Sequence, residues 1–348
     1  AAGNTFTPIT GQPWEGDFEQ EDLGAVFFDA DSDGDQDLYV VSGGNAFEPE
    51  DPALQDRLYL NDGNGQFTKA TDALPEMLTS GGCVAVADYD QDGDQDLFVG
   101  GRVVPGKYPF APRSYLLRNE GGRFVDVTAD LAPELVNPGL VTAATWTDFN
   151  SDGRPDLLVT GEWMALLFME NDGQGFADVA ESRGLTDTEG WWFSLAAADV
   201  DGDGDQDYIA GNLGLNYKYQ ASAEEPFDIY CHDFDGNGSL DIVLGFRDEG
   251  ELFPLRGREC SSDQMPFIKE KFPDYESFGK ATLIDVYEDQ QLSDALHYQA
   301  RTFESAVLRN DGNGQFALEA LPKVAQRSAV NGIVPLDLDE DQAAELLL

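Results

Sequence analysis

A nine-residue acidic loop of the form Asp-x-Asp/Asn-x-Asp/Asn-Gly-x-x-Asp recurs along this chain and constrains its fold more than any other feature. Five copies are clear: DADSDGDQD (29–37), DYDQDGDQD (88–96), DFNSDGRPD (148–156), DVDGDGDQD (199–207) and DFDGNGSLD (233–241). A sixth, DLDEDQAAE (337–345), lacks the glycine and ends in Glu345. Oxygens at positions one, three, five and nine, with a main-chain carbonyl at seven, suit one hard cation. Ca2+ accepts six to eight oxygens in flexible geometry, whereas Mg2+ demands an octahedron and keeps its waters. No thiolate or imidazole recurs in the loops, which argues against zinc and copper.

The candidate ligands follow by position. They are Asp29, Asp31, Asp33, Asp35 and Asp37 in loop one, and Asp88, Asp90, Asp92, Asp94 and Asp96 in loop two. Loop three offers Asp148, Asn150, Asp152, Arg154 and Asp156, and loop four Asp199, Asp201, Asp203, Asp205 and Asp207. Loop five offers Asp233, Asp235, Asn237, Ser239 and Asp241, and loop six Asp337, Asp339, Asp341 and Glu345. The position-seven residues enter through their carbonyls. Loop six, without glycine, is expected to be empty or altered.

An EF-hand opens in the same way, but its twelve-residue loop closes on a bidentate Glu between two helices. Here the twelfth positions are Val40, Val99, Val159, Ala210 and Leu244, inside runs such as DLYVVSG and DLFVGG that read as strands. The loop therefore joins two strands. A second motif recurs: RLYLNDGNGQFTKAT (57–71), YLLRNEGGRFVDVTAD (115–130), LLFMENDGQGFADVA (166–180) and AVLRNDGNGQFALEA (306–320). Each reads as a β-hairpin, with Asn-Asp-Gly or Asn-Glu-Gly as the turn signal. First loop positions are 59, 60, 51, 34 and 104 residues apart. Four antiparallel strands per period predict an all-β fold: a β-propeller of four-stranded blades, six or seven in number. A single domain over 1–348 is expected, with strand 4–10 joining strands from 333–348 to close the ring.

With these loops and hairpins the chain resembles the FG-GAP/VCBS repeat family, which includes the propellers of integrin α subunits. Stretches such as GGRVVPGKYPFAPRSYLLRN (100–119) and GNLGLNYKYQASAEEP (211–226) are most similar to the cartilage-acidic-protein-like group and its bacterial surface relatives. The resemblance implies calcium between strands one and two of each blade and ligand contact on the opposite face. It implies an extracellular calcium-binding module for adhesion or for a protein or glycan ligand. Some polysaccharide lyases use calcium-bearing propellers of similar type, so a polysaccharide-active lyase or glycosidase is the alternative.

Charge narrows the partners. The formal net charge is −47, and nothing offsets phosphate repulsion, which excludes nucleic acid. No run of about eighteen apolar residues is present to cross a membrane. Loops between strands two and three, and between blades, gather Arg102, Lys107, Tyr108, Arg113, Trp163, Trp191, Trp192, Tyr217 and Lys218. These side chains suit glycan stacking or a protein hot spot, or else they pack between blades. The period breaks between 245 and 305, and apolar spacing over 261–300 predicts two or three short helices inserted in one blade, with Asp263 and Ser293 as candidate N-caps. Cys231 and Cys260 are candidates for a disulfide. His232 and His297 are the chain's two histidines, and each reads as structural or exposed rather than catalytic.

Overall fold

The apolar runs that follow the acidic loops become the second strands of antiparallel sheets, covered on both faces. The computed structural model describes residues 9–338 and 343–348. It is mostly β, with 37 % strand and 14 % helix. The chain divides into two compact units, residues 1–157 with 170–177 and residues 158–169 with 178–348.

In the first unit, strands β1 (Glu21–Phe28), β2 (Asp37–Gly43), β3 (Arg57–Asn61) and β4 (Phe67–Lys69) form one sheet in sequence order. Strands β5 (Ser80–Ala87), β6 (Asp96–Val103), β7 (Tyr115–Asn119) and β8 (Phe124–Asp126) form a second, followed by the single turn α1 (Thr128–Leu131). Second strands are the most buried, so DLYVVSG of β2 is richer in apolar residues than FTK of β4. Phe28, Tyr39, Val41 and Leu58 of the first sheet share a core with Leu97, Val99, Leu117 and Phe124 of the second. Each such side chain contributes about 1.5–3 kcal/mol by leaving water. Glycine ends the second strand because the sheets approach closely there: a Cβ on Gly43 would lie 2.7 Å from the Gly81 carbonyl.

A third sheet uses β9 (Leu140–Thr147), β10 (Asp156–Met164), β11 (Leu167–Asn171) and β12 (Phe176–Asp178), with the two-residue β13 (Gly190–Trp191) added to β10. Repeated four-stranded antiparallel sheets of this kind are the blades of a β-propeller.

The second unit departs from the expected order. Strands β14 (Ser194–Ala198) and β15 (Asp207–Gly211) carry loop four, but the strand paired with β15 lies far along the chain. A separate sheet comes between, made of β16 (Phe227–His232), β17 (Asp241–Asp248), β18 (Glu251–Pro254) and β19 (Leu296–Ala300) in the order β18-β17-β16-β19. Only then does β20 (Ala306–Asn310) pair with β15, Tyr208 opposite Leu308, followed by β21 (Phe316–Ala320). The hairpin at 306–320 thus completes the sheet of loop four, and loop five belongs to a sheet inserted between its strands.

The helical segment is part of that insertion. Helices α2 (Arg258–Gln264), α3 (Phe267–Lys271), α4 (Tyr275–Gly279), α5 (Leu283–Tyr287) and α6 (Asp289–Asp294) precede β19, so 296–300, expected as helix, is strand. Asp263 and Ser293 sit inside helices. The caps are Asp274, which accepts from Ser277 N, and Thr282, which forms a capping box with Asp285. Ile268, Phe278, Leu283, Val286 and Tyr287 pack on Tyr230, Phe234 and Val243, giving the insertion a core of its own. Cys231 is buried in β16 and Cys260 exposed in α2, and no disulfide joins them.

At the end of the chain, β22 (Val334–Leu336) and β23 (Glu345–Leu347) form a two-stranded sheet. Ile333, Ala344 and Leu346 pack there on Ala198, Ile209, Val307 and Leu321. Of the N-terminal strand expected at 4–10, residues 4–8 lie outside the described residues, and Ile9 and Thr10 are exposed and outside any strand.

The close approach at Gly43 sets a test of sheet packing. Gly43→Ala should destabilise the protein by about 1–3 kcal/mol, as an overpacked site does. Urea unfolding measures this, and an unchanged midpoint would show that the two sheets are not tightly apposed there.

Candidate metal loops and ligand cavity

All five clear loops fold alike, because their own carboxylates organise them. The position-one Asp accepts backbone N–H groups from inside its loop. Asp29 takes Asp33 N and Gly34 N at 3.1 Å each, and Asp88, Asp148 and Asp233 repeat the pattern on Asp92/Gly93, Asp152/Gly153 and Asn237/Gly238. In loop four Asp199 takes Gly202 N and Gly204 N. The glycine at position six has positive φ in every copy, for example +94° at Gly34 and +102° at Gly93, a region cheap only for glycine.

Position nine locks the loop to the sheet. Asp37 accepts Ala30 N and Asn61 N, both at 2.8 Å. Asp96 accepts Tyr89 N and Asn119 N, and Asp207 accepts Val200 N and Asn310 N. Asp156 accepts Asn171 N. The asparagine in each case ends strand three and opens the hairpin turn. Its side chain works as well: Asn119 donates to Ala30 O of the preceding loop and to Gln95 O, and Asn171 to Tyr89 O and Pro155 O. These asparagines carried only a turn signal in the sequence. In loop five the inserted sheet has no such asparagine, and Gln264 of α2 donates to Asp241 instead.

The loop carboxylates also suit a cation. In four loops three carboxylates each offer an oxygen within 4.8 Å of the others: Asp29, Asp31 and Asp33; Asp88, Asp90 and Asp96; Asp199, Asp201 and Asp203; Asp233, Asp235 and Asp241. Asp31 Oδ1, Asp35 Oδ1 and Asp156 Oδ2 are buried without a hydrogen-bond donor, and burying a carboxylate oxygen that way is costly unless a positive charge meets it. Anionic, oxygen-only donors on a glycine-turned loop fit a hard divalent ion such as Ca2+. Loop three differs: Arg154 at position seven pairs with Asp152, so a guanidinium already neutralises part of that loop. Arg309 similarly reaches Asp201 in loop four at 2.5 Å. In loop six, Glu345 accepts Leu338 N at 2.8 Å, repeating the position-nine bond with a longer side chain. Asp339 and Asp341 lie outside the described residues, and Asp337 is exposed.

A family model described as an FG-GAP-like repeat matches residues 29–99 and 148–210, which contain loops one to four. The chain carries FG-GAP-like repeats. No curated protein matches it. Solved structures do match, among them one described as the structural basis of specific recognition of non-reducing terminal N-acetylglucosamine by an Agrocybe aegerita lectin. It shares 16 % identity at a TM-score of 0.33, over 93 % of this chain and 84 % of that one. A likeness that weak carries no argument.

The residues expected on a ligand face differ in exposure within each unit. Among those in the first unit, Lys107 is exposed in a turn, while Arg102 and Tyr108 are half-buried. Arg113 is engaged in its own sheet, 2.7 Å from Asp126 and over the Tyr115 ring. In the second unit Trp163 and Trp192 are core residues, Trp192 wholly buried with its indole N–H on Thr188 O. Trp191 is half-buried among Trp163, Tyr219 and Phe303. Only Tyr217 and Lys218 stay exposed, and Lys218 lies over the Tyr219 ring.

Next to them is a cavity of about 400 Å3 that the sequence did not reveal, lined by Lys218, Tyr219, Glu225, Phe227, Phe246 and Arg247 among others. Arg247 also lines a second cavity of about 540 Å3, with Tyr230, Glu251 and His297. His297 Nε2 is 2.7 Å from Asp228 and its ring stacks on Tyr230, while His232 packs on Phe234. The available signal was Asp228 itself, an acid within the apolar run FDIYC.

Two outcomes test the FG-GAP-like loops. Asn171→Ala strips buried partners from Tyr89 O, Pro155 O and Gly173 N and should cost about 2–3 kcal/mol in urea unfolding; a loss near zero would show that the latch is dispensable. The second outcome is proton release. Burial, with smaller contributions from neighbouring carboxylates, pushes Asp96 and Asp156 up to about 7 and also raises Asp37, Asp207 and Asp241, against hydrogen bonds that pull the other way. For Asp96 and Asp156 the folded values exceed the ordinary 3.8, so the stability they contribute is full below that pH and is lost as pH rises through about 7 in the metal-free protein. A divalent cation taken up by these carboxylates would displace those protons. Titration heats near about pH 6.5 should therefore vary with the buffer's ionisation enthalpy, and the variation should fade by about pH 8.5. Buffer-independent heats at the lower pH would contradict the assignment.

Proposed function

We propose that this chain is an extracellular calcium-stabilised propeller that serves as an adhesion or ligand-binding module for a protein or glycan. The observation that carries the reading is the convergence of three carboxylates within 4.8 Å in four loops that share one backbone geometry. Each of those loops spans strands one and two of its sheet. A divalent ion there relieves the mutual repulsion of its acids and ties the loop's two strands together, leaving other loops to meet a partner. Such sites fill where calcium is millimolar, as it is outside cells.

The same geometry favours binding over chemistry at the loops. The position-one and position-nine carboxylates are held by backbone N–H groups, so they are fixed as structural acceptors rather than poised as acid and base. The partner class follows from charge: at −47 the chain repels nucleic acid, and a protein or glycan fits better.

Excess EDTA should lower the melting temperature by roughly 10 °C or more, and added calcium, but not magnesium at equal concentration, should restore it. Differential scanning fluorimetry reads this directly. A melt indifferent to both would sink the calcium role.

A further inference from the structure

The cavity beside β16 and β17 concentrates positive charge in a chain that has almost none to spare. Arg247 and Lys218 both line it, with Phe227, Phe246 and Tyr219 as apolar walls and Glu225, Gln220 and Ser222 as polar ones. Arg247 is held from behind. Its Nε lies 3.5 Å from Asp228 Oδ2, and Asp228 is wholly buried, fixed through Oδ1 by His297 and Gln299. That approach is too loose for a hydrogen bond: Asp228 Oδ2 and Arg247 Nε are both buried without one. Among the described residues the guanidinium has no other ion pair or hydrogen bond, so its two amino groups are uncommitted. Lys218 likewise has no ion pair among the described residues, only the face of Tyr219, 5.2 Å from its ammonium. Several other basic side chains are paired closely with acids, as Arg57 is with Asp22, Arg154 with Asp152 and Arg309 with Asp201.

We propose that this cavity binds a short acidic saccharide, its carboxylate or sulfate taken by Arg247 and Lys218 and its ring lying against Phe246 and Tyr219. The inference rests on the ligand-binding reading above and names the ligand class. A planar guanidinium whose two amino groups are free presents one edge that matches a carboxylate or sulfate in bidentate fashion. About 400 Å3 accommodates one or two sugar rings. Glu225, Gln220 and Ser222 supply the mixed acceptors and donors that hydroxyl groups need, which an apolar carboxylic acid would leave unused. A long polyanion would meet the repulsion of the whole chain, whereas a short one engages the two local cations and is screened from the rest beyond about 8–10 Å.

The test uses the calcium-loaded full chain and calorimetric titration with trigalacturonate, a sulfated disaccharide and uncharged galactotriose. At least one acidic probe should bind about tenfold or more tightly than galactotriose, and which one binds identifies carboxylate or sulfate. Lys218→Gln, at an exposed position, should weaken that binding several-fold, and Arg247→Gln by about tenfold or more. Absence of binding by both acidic probes, equal binding of galactotriose, or indifference to both substitutions would overturn the proposal. The calcium-dependent melt of the same samples separates the two readings. If it persists while no acidic probe binds, the ligand class is wrong and the calcium role stands.

Discussion

The position-nine carboxylate is the constraint from which the rest of each repeat follows. One of its oxygens takes the N–H seven residues earlier and so closes the loop, as in Asp37 on Ala30 N. The other takes the N–H of the asparagine that ends strand three, as in Asp37 on Asn61 N. A single acid therefore sets the loop's size and registers strand two against the hairpin behind it. The asparagine then extends the chain of bonds to the loop of the preceding sheet, from Asn119 to Ala30 O and from Asn171 to Tyr89 O. These groups are buried, and losing one partner would leave the other unsatisfied at about 1–3 kcal/mol each. The acidic motif is thus a folding element before it is a metal site. A cation would be served by the position-one acid together with those at three and five or three and nine, which converge in four loops.

This division explains what could be read in the sequence. The loops and hairpins were legible because their signals are local: alternating acids, a glycine at positive φ, an Asn-Asp-Gly turn. The pairing of β20 with β15 was not, because the hairpin at 306–320 carries the same signal whichever second strand it joins. Proximity in sequence favoured loop five, but the register Tyr208 opposite Leu308 places it on loop four. Sheet partners are chosen by nonlocal packing, here of Val307 with Ala198, Ile209 and Leu321, and no window of sequence contains that choice. The tryptophans failed for a related reason. Trp163 lies near the end of β10 and Trp192 in the short link between β13 and β14, and each is buried, since a large aromatic gains more from a core than from a solvated loop.

The insertion at residues 212–305 shows how the repeat tolerates added chemistry. Parting β15 from β20 by so long a segment adds little closure cost, because that cost grows only with the logarithm of length. The segment also offsets its own ordering entropy, through the core of Tyr230, Ile268, Leu283 and Tyr287. Loop five travels with it, using Gln264 of α2 where the other sheets use asparagine, so the acidic loop survives transplantation to a sheet with different neighbours. Both cavities that include Arg247 are lined only by residues of this segment. The repeats build a scaffold whose polar groups are consumed in holding themselves together. The insertion sets two cationic side chains, Arg247 and Lys218, beside aromatic walls in one cavity, and so it is where selectivity for a partner has room to arise.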